Sequence, residues 1–83
     1  MLKVLFFGRL REAAGSSERD FSLPSEVADT GALRLWLGRD NPHLRDELER
    51  PSVRIAVDEV LASADLPLSG KETVAFMPLV SGG

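Results

Sequence analysis

Two apolar runs at opposite ends of the chain constrain its fold more than anything between them. Val4-Leu5-Phe6-Phe7 lies just inside the N-terminus, and Thr73-Val74-Ala75-Phe76-Met77-Pro78-Leu79-Val80 lies just before the last three residues. Consecutive apolar residues of this kind suit a strand covered on both faces, or a central strand with one face kept for a partner. With 83 residues there is room for one domain and one modest core. Both runs therefore belong in one sheet, as central strands lying side by side. A parallel pairing would send the chain out at the far end of that sheet.

The segments between them fill in the sheet. Arg9–Ala14 reads as a short helix stopped by Gly15 as a C-cap. Arg19–Leu23 alternates charged and apolar residues, which predicts a half-buried strand closed by Pro24. The main helix spans Ala32–Leu37, with Asp29 or Thr30 capping its start and Gly38 its end. Leu33, Trp36 and Leu37 then share one apolar face, and Trp36 reads as core packing under the sheet rather than a ligand platform. Asn41-Pro42 marks a turn, and Leu44 with Leu48 predicts a further short helix. Val53–Val57 reads as a strand with Val53, Ile55 and Val57 on one face, and Val60–Ala62 as a short strand after a turn at Asp58-Glu59. Pro67–Glu72 reads as a loop. This order predicts an α+β fold, a mixed sheet with one main helix across one face. The domain is expected over residues 1–80, with 81–83 as a tail.

Composition excludes several functions. A net charge of -3 and a pI near 5.0 argue against a sequence-independent nucleic-acid binder and against docking on anionic lipid. Cysteine is absent, which removes disulfides, thiolate nucleophiles and thiolate-held metals. No apolar stretch nears the roughly 18 residues that suggest a membrane span, and no secretory leader pattern is seen. A cytoplasmic protein is the expectation. His43 stands alone, so a histidine-based metal or acid/base site is not expected. Gly70-Lys71 fails as a phosphate-binding loop, because Asp65 replaces the first glycine and Glu72 the Ser/Thr. Asp46, Glu47 and Glu49 read as a solvated acidic face, and the arginines at 34, 39, 45, 50 and 54 as surface ion pairs. Nothing here supplies a nucleophile, metal site or paired acid and base. The expectation is a non-catalytic binding or carrier module that holds no cofactor.

Attention then falls on Ser81-Gly82-Gly83. Small terminal residues are often just a frayed end. A Gly-Gly terminus, however, adopts backbone angles closed to other residues and threads a narrow channel. Its carboxylate also has no bulky neighbour to hinder an approaching reagent. A carboxylate is a poor electrophile until activated, for example as an acyl-adenylate. The chain offers no nucleotide site, so activation would fall to a partner that uses ATP.

Leu5-Phe6-Phe7-Gly8, Leu10-Arg11-Glu12 with Gly15, Leu23-Pro24, Ala56-Val57, Val74-Ala75-Phe76 with Pro78, and the final Val80-Ser81-Gly82-Gly83 resemble, in that order, the small subunit of molybdopterin synthase. The resemblance runs from end to end. It departs from the usual pattern at Asp58, at the Ser69–Thr73 turn and at Leu79. It implies a ubiquitin-like β-grasp fold. It also implies that an E1-like adenylyltransferase adenylates Gly83, which is converted to a thiocarboxylate. The tail, with Gly82 and Ser81, would then enter the large subunit, usually in a heterotetramer of two small and two large subunits. There it would donate sulfur to the cyclic pyranopterin monophosphate precursor of molybdopterin. Strand alternation adds that Phe7 and Met77, with Leu61, would form an exposed apolar patch for the partner, with Arg11 a weaker candidate at its rim. Three alternatives stay open. They are a sulfur carrier for another product such as thiamine thiazole, a modifier forming isopeptide bonds, and a β-grasp interaction domain that carries nothing.

Overall fold

The computed structural model describes residues 1–78. Its eight elements are β1 (Leu2–Phe6), α1 (Arg9–Ala14), β2 (Glu18–Phe21), α2 (Thr30–Gly38), α3 (Pro42–Leu48), β3 (Val53–Val57), β4 (Val60–Leu61) and β5 (Thr73–Pro78). The five strands form one mixed sheet in the order β2-β1-β5-β3-β4. The two apolar runs pair in parallel, Val4 beside Val74 and Phe6 beside Phe76, with β5 at the centre. β2 joins β1 antiparallel, and β3 joins both β5 and β4 antiparallel.

One face of the sheet carries the core. Leu2, Val4 and Phe6 of β1, Val74 and Phe76 of β5, and Val53 and Ile55 of β3 are buried there with Leu10, Leu33, Leu37, Leu44 and Leu48 from the helices. Phe6 and Phe76 stack with ring centroids 6.2 Å apart, which locks the parallel pair from the helix side. Burying each such ring contributes about 2–3 kcal/mol. The main helix α2 covers this face together with the two shorter helices α1 and α3.

Several local predictions shift by a few residues. β2 is Glu18–Phe21 rather than Arg19–Leu23, because its last pair, Phe21 with Leu2, already reaches the start of β1. The main helix runs from Thr30 to Gly38, and Asp29 is its N-cap, accepting the Ala32 N–H at 2.7 Å. Gly38 does not end the helix in a left-handed turn; it is helical, and the C-cap is Arg39. A β-carbon on Gly38 would lie 2.9 Å from the Arg45 backbone, so this glycine lets α2 and α3 touch. Gly15 does act as the expected left-handed cap of α1. Trp36 is half-buried at the margin, edge-on to Phe21 at 5.1 Å, rather than under the middle of the sheet. Leu79 and Val80, expected in the last strand, and Ser81, Gly82 and Gly83 lie outside the described residues.

The β3–β4 turn uses two non-glycine residues at positive φ, Asp58 (48°) and Glu59 (71°). Such a two-residue turn matches the twist of the strands it joins. Asp58 also ties the hairpin to the start of β5. Its N–H donates to the Thr73 carbonyl at 2.8 Å, and its Oδ1 accepts the Thr73 N–H at 2.9 Å.

Candidate functional site: the helix-free face and the exit of β5

Alternation puts every second strand residue on the face opposite the helices. Leu5 pairs with Ala75, Ala75 with Ala56, and Ala56 with Leu61, so four strands contribute one apolar row across that face. A second row lies nearer the end of β5, where Met77 pairs with Arg54. Phe7 flanks Met77 on the other side, because Phe6 pairs with Phe76 and the Phe7 N–H donates to the Phe76 carbonyl at 3.1 Å. Phe7 is 46% exposed and Leu61 65% exposed, while Leu5, Ala75 and Met77 are half-buried.

The structure thus places Phe7 and Met77 side by side, and Leu61 on the same face at the far edge. Leu5, Ala56 and Ala75 complete the surface; alternation along β1 already turns Leu5 outward, whereas Ala56 and Ala75 were not singled out from sequence. Their alternation was visible, but the strand order that joins them into a row was not. Arg11 is exposed on α1, on the helix side of the same end of the sheet. Ser81, Gly82 and Gly83 lie outside the described residues.

The chain leaves β5 beside a tight backbone contact. Gly8 follows β1 with φ 60° and ψ -135°, and a β-carbon there would lie 2.7 Å from Pro78 Cγ. Only glycine accepts both that conformation and that approach. Gly8 therefore lets the end of β5 settle against the end of β1.

Charged groups frame the sheet. Lys3 pairs with Glu18 at 3.3 Å on the helix-free face. At the other end of β5, Glu72 folds its carboxylate back into the preceding turn. Burial acts to raise its pKa, but N–H groups of Ser69, Gly70 and its own neighbourhood, with the Ser69 hydroxyl, outweigh that and hold it at about 2. The Gly70 N–H, in the segment that fails as a phosphate-binding loop, thus serves a carboxylate from the same turn. Glu47 corrects the reading of its cluster as a solvated face. It is 5% exposed and lies 3.1 Å from both Arg9 Nε and Arg50 Nε, with His43 Nε2 at 4.0 Å. It clamps α1 to α3, a structural role. Among the described residues no group of three or more acids or histidines is placed to hold a metal.

Residues 4–83 match the ThiS family. The chain belongs to the ThiS family. Two relatives match over nearly their whole lengths, and both are named molybdopterin synthase sulfur carrier subunit. The one from Mycobacterium tuberculosis is 35% identical over 82 residues, covering 99% of this chain and 96% of the relative. The one from Escherichia coli is 34% identical over 83 residues, covering all of both. Among solved structures, SAMP1 from Haloferax volcanii superposes with a TM-score of 0.77 at 23% identity, covering 99% of this chain and 98% of that one. That likeness shows the ubiquitin-like β-grasp fold.

Proposed function

We propose that this chain is the sulfur-carrier small subunit of a molybdopterin synthase, working in the cytoplasm. The observation that carries the reading is the end-to-end match to sulfur carrier subunits, which includes the terminal Gly82-Gly83. An E1-like adenylyltransferase uses ATP to join AMP to the Gly83 carboxylate, releasing pyrophosphate. A sulfur donor then forms a C–S bond as the C–O bond to AMP breaks, leaving a thiocarboxylate. Inside the large subunit the sulfur passes to the cyclic pyranopterin monophosphate precursor; as the acyl C–S bond is hydrolysed, water supplies the oxygen that restores the Gly83 carboxylate. This chain supplies no catalytic side chain and holds no cofactor. Its contribution is a central strand that presents the tail and an apolar face that docks on the large subunit, two copies of each forming a heterotetramer.

Intact mass spectrometry tests the carrier step after incubation with ATP, an E1-like partner and a sulfur source. A gain equal to sulfur replacing oxygen, located at Gly83, is expected. No gain, with the partner active on a control carrier, refutes it. Co-purification with a large subunit that binds the pterin precursor then separates this pathway from thiamine thiazole synthesis.

A further inference from the structure

The strand edge farthest from β4 carries a feature that the carrier role does not use. β2 is the outer strand on that side, and beside it lies a cleft of about 420 Å³ between β2 and the C-terminal end of α2. Arg19, Phe21, Trp36 and Arg39 line it as a ladder. The Arg19 guanidinium lies 5.1 Å from the Phe21 ring centre, Phe21 meets Trp36 edge-on at 5.1 Å, and the Arg39 guanidinium lies 4.6 Å above Trp36. Arg39 Nε has Asp40 at 3.3 Å, whereas Arg19 has no ion pair among the described residues.

The ladder sits against unpaired backbone. The Phe6 N–H donates to the Ser17 carbonyl at 2.9 Å, which makes Phe6 and Ser17 a hydrogen-bonded pair. Antiparallel pairs alternate, so Arg19 and Phe21 also turn their backbone groups toward β1. The N–H and C=O groups of Glu18 and Asp20 therefore point outward, along the free edge. Their side chains lie on the helix-free face with Lys3, while Arg19 and Phe21 project on the cleft side.

We propose that β2 is a strand-addition site for an extended peptide segment of a partner protein. The segment pairs with the backbone of Glu18 and Asp20. It carries an acidic residue opposite Arg19, an aliphatic residue opposite Phe21, and a basic residue on each side of the acidic one, facing Glu18 and Asp20. Strand addition takes affinity from main-chain hydrogen bonds and specificity from alternate side chains, and this edge offers both. Charge argues against a second copy of this chain as the occupant. Antiparallel self-pairing centred on β2 would set Arg19 against Arg19 and Glu18 against Asp20, and like charges directly opposed are destabilising.

The probe is a blocked peptide, Thr-Ile-Lys-Glu-Lys-Thr, added to the full chain without tail modification, so the result does not depend on the carrier reading. Trp36 is the only tryptophan and reports directly on the cleft. A saturable change in its emission is expected, with amide shifts confined to β2 and the end of α2. Asp20→Pro removes a donor that only the free edge uses, and should weaken binding at least about tenfold while the β1–β2 pairing persists. Arg19→Glu, which leaves the backbone alone, should weaken it by a similar factor and restore binding to a peptide with Lys in place of Glu. Four results overturn the proposal: no response, an equal response to the Lys peptide by the unaltered chain, shifts on the helix-free face or β4 instead, or self-association through β2.

Discussion

Gly8→Ala isolates the contact that seats the end of β5, and its cost can be worked from geometry. Two penalties act at once. The backbone sits at φ 60°, ψ -135°, a region that side chains rarely enter and that costs about 1–3 kcal/mol. The new methyl would also meet Pro78 Cγ at 2.7 Å, and relieving such overpacking costs about 1–3 kcal/mol. Partial relaxation of one relieves the other, so a loss of about 2–4 kcal/mol is expected. Gly15→Ala is the control. It has φ 80° but nothing within 4 Å of the added carbon, so only the conformational cost of about 1–2 kcal/mol remains. Urea unfolding followed by circular dichroism measures both, and the difference reports the Pro78 contact. In a domain of this size each kcal/mol moves Tm by about 4–8 °C, so thermal melts resolve it as well. Equal losses for the two variants would refute the claim that Gly8 is required by its approach to β5.

Other perturbations address the face, the core and the turn. Phe7→Asp and Met77→Asp should leave the urea midpoint nearly unchanged yet weaken binding to the large subunit at least about tenfold by calorimetry, because an interface core depleted of charge must then bury one. Phe76→Ala removes a fully buried ring at the centre of the sheet and should cost about 3–5 kcal/mol in the same urea assay. Glu72→Gln should cost about 1 kcal/mol at neutral pH, a figure reduced for solvent screening. The sign of its pH dependence follows from the lowered pKa. The carboxylate's contribution is complete above pH 4.5 and is lost as pH falls through about 2, so the stability gap between variant and parent should close across that window. Glu47→Ala leaves Arg9 and Arg50 without their shared carboxylate and should lower Tm by several degrees.

Much of the fold was legible because the chain is short and its apolar runs are long. Val4–Phe7 and Val74–Phe76 had nowhere to go but the middle of one sheet, and the Leu33/Leu37 face had only that sheet to cover. The boundary of β2 was not legible, because Leu23 packs against the core without being in a strand, so apolar alternation overran the ladder. Gly38 misled for a different reason. A glycine at a helix end normally signals a left-handed cap, and only the approach of Arg45 shows that this one serves helix packing. Burial of Glu47 was invisible for the same reason, since Arg9 comes from a helix distant in sequence. Of the apolar face, Phe7, Met77 and the outward turn of Leu5 followed from alternation along single strands. Joining Leu5 to Ala75, Ala56 and Leu61 in one row required the order β1-β5-β3-β4, which alternation does not contain.

The two faces of the sheet solve different problems, and the division explains why β1 and β5 carry apolar residues on both. The helix side holds Phe6, Phe76 and the leucines of three helices, enough to fix the parallel pair without help from the other side. The opposite side could have been polar, as it is at β2, where Lys3 and Glu18 pair across the strands. Instead Leu5, Ala75, Ala56 and Leu61 continue across the sheet, with Phe7 and Met77 beside the exit of β5. Folding alone does not require that surface, and in water an exposed apolar row invites association. The proposed carrier role supplies a reason for it, since a carrier must dock on the protein that receives its cargo. In the proposed function the surface next to the exit is where the partner docks, and Gly8 sets where β5 ends.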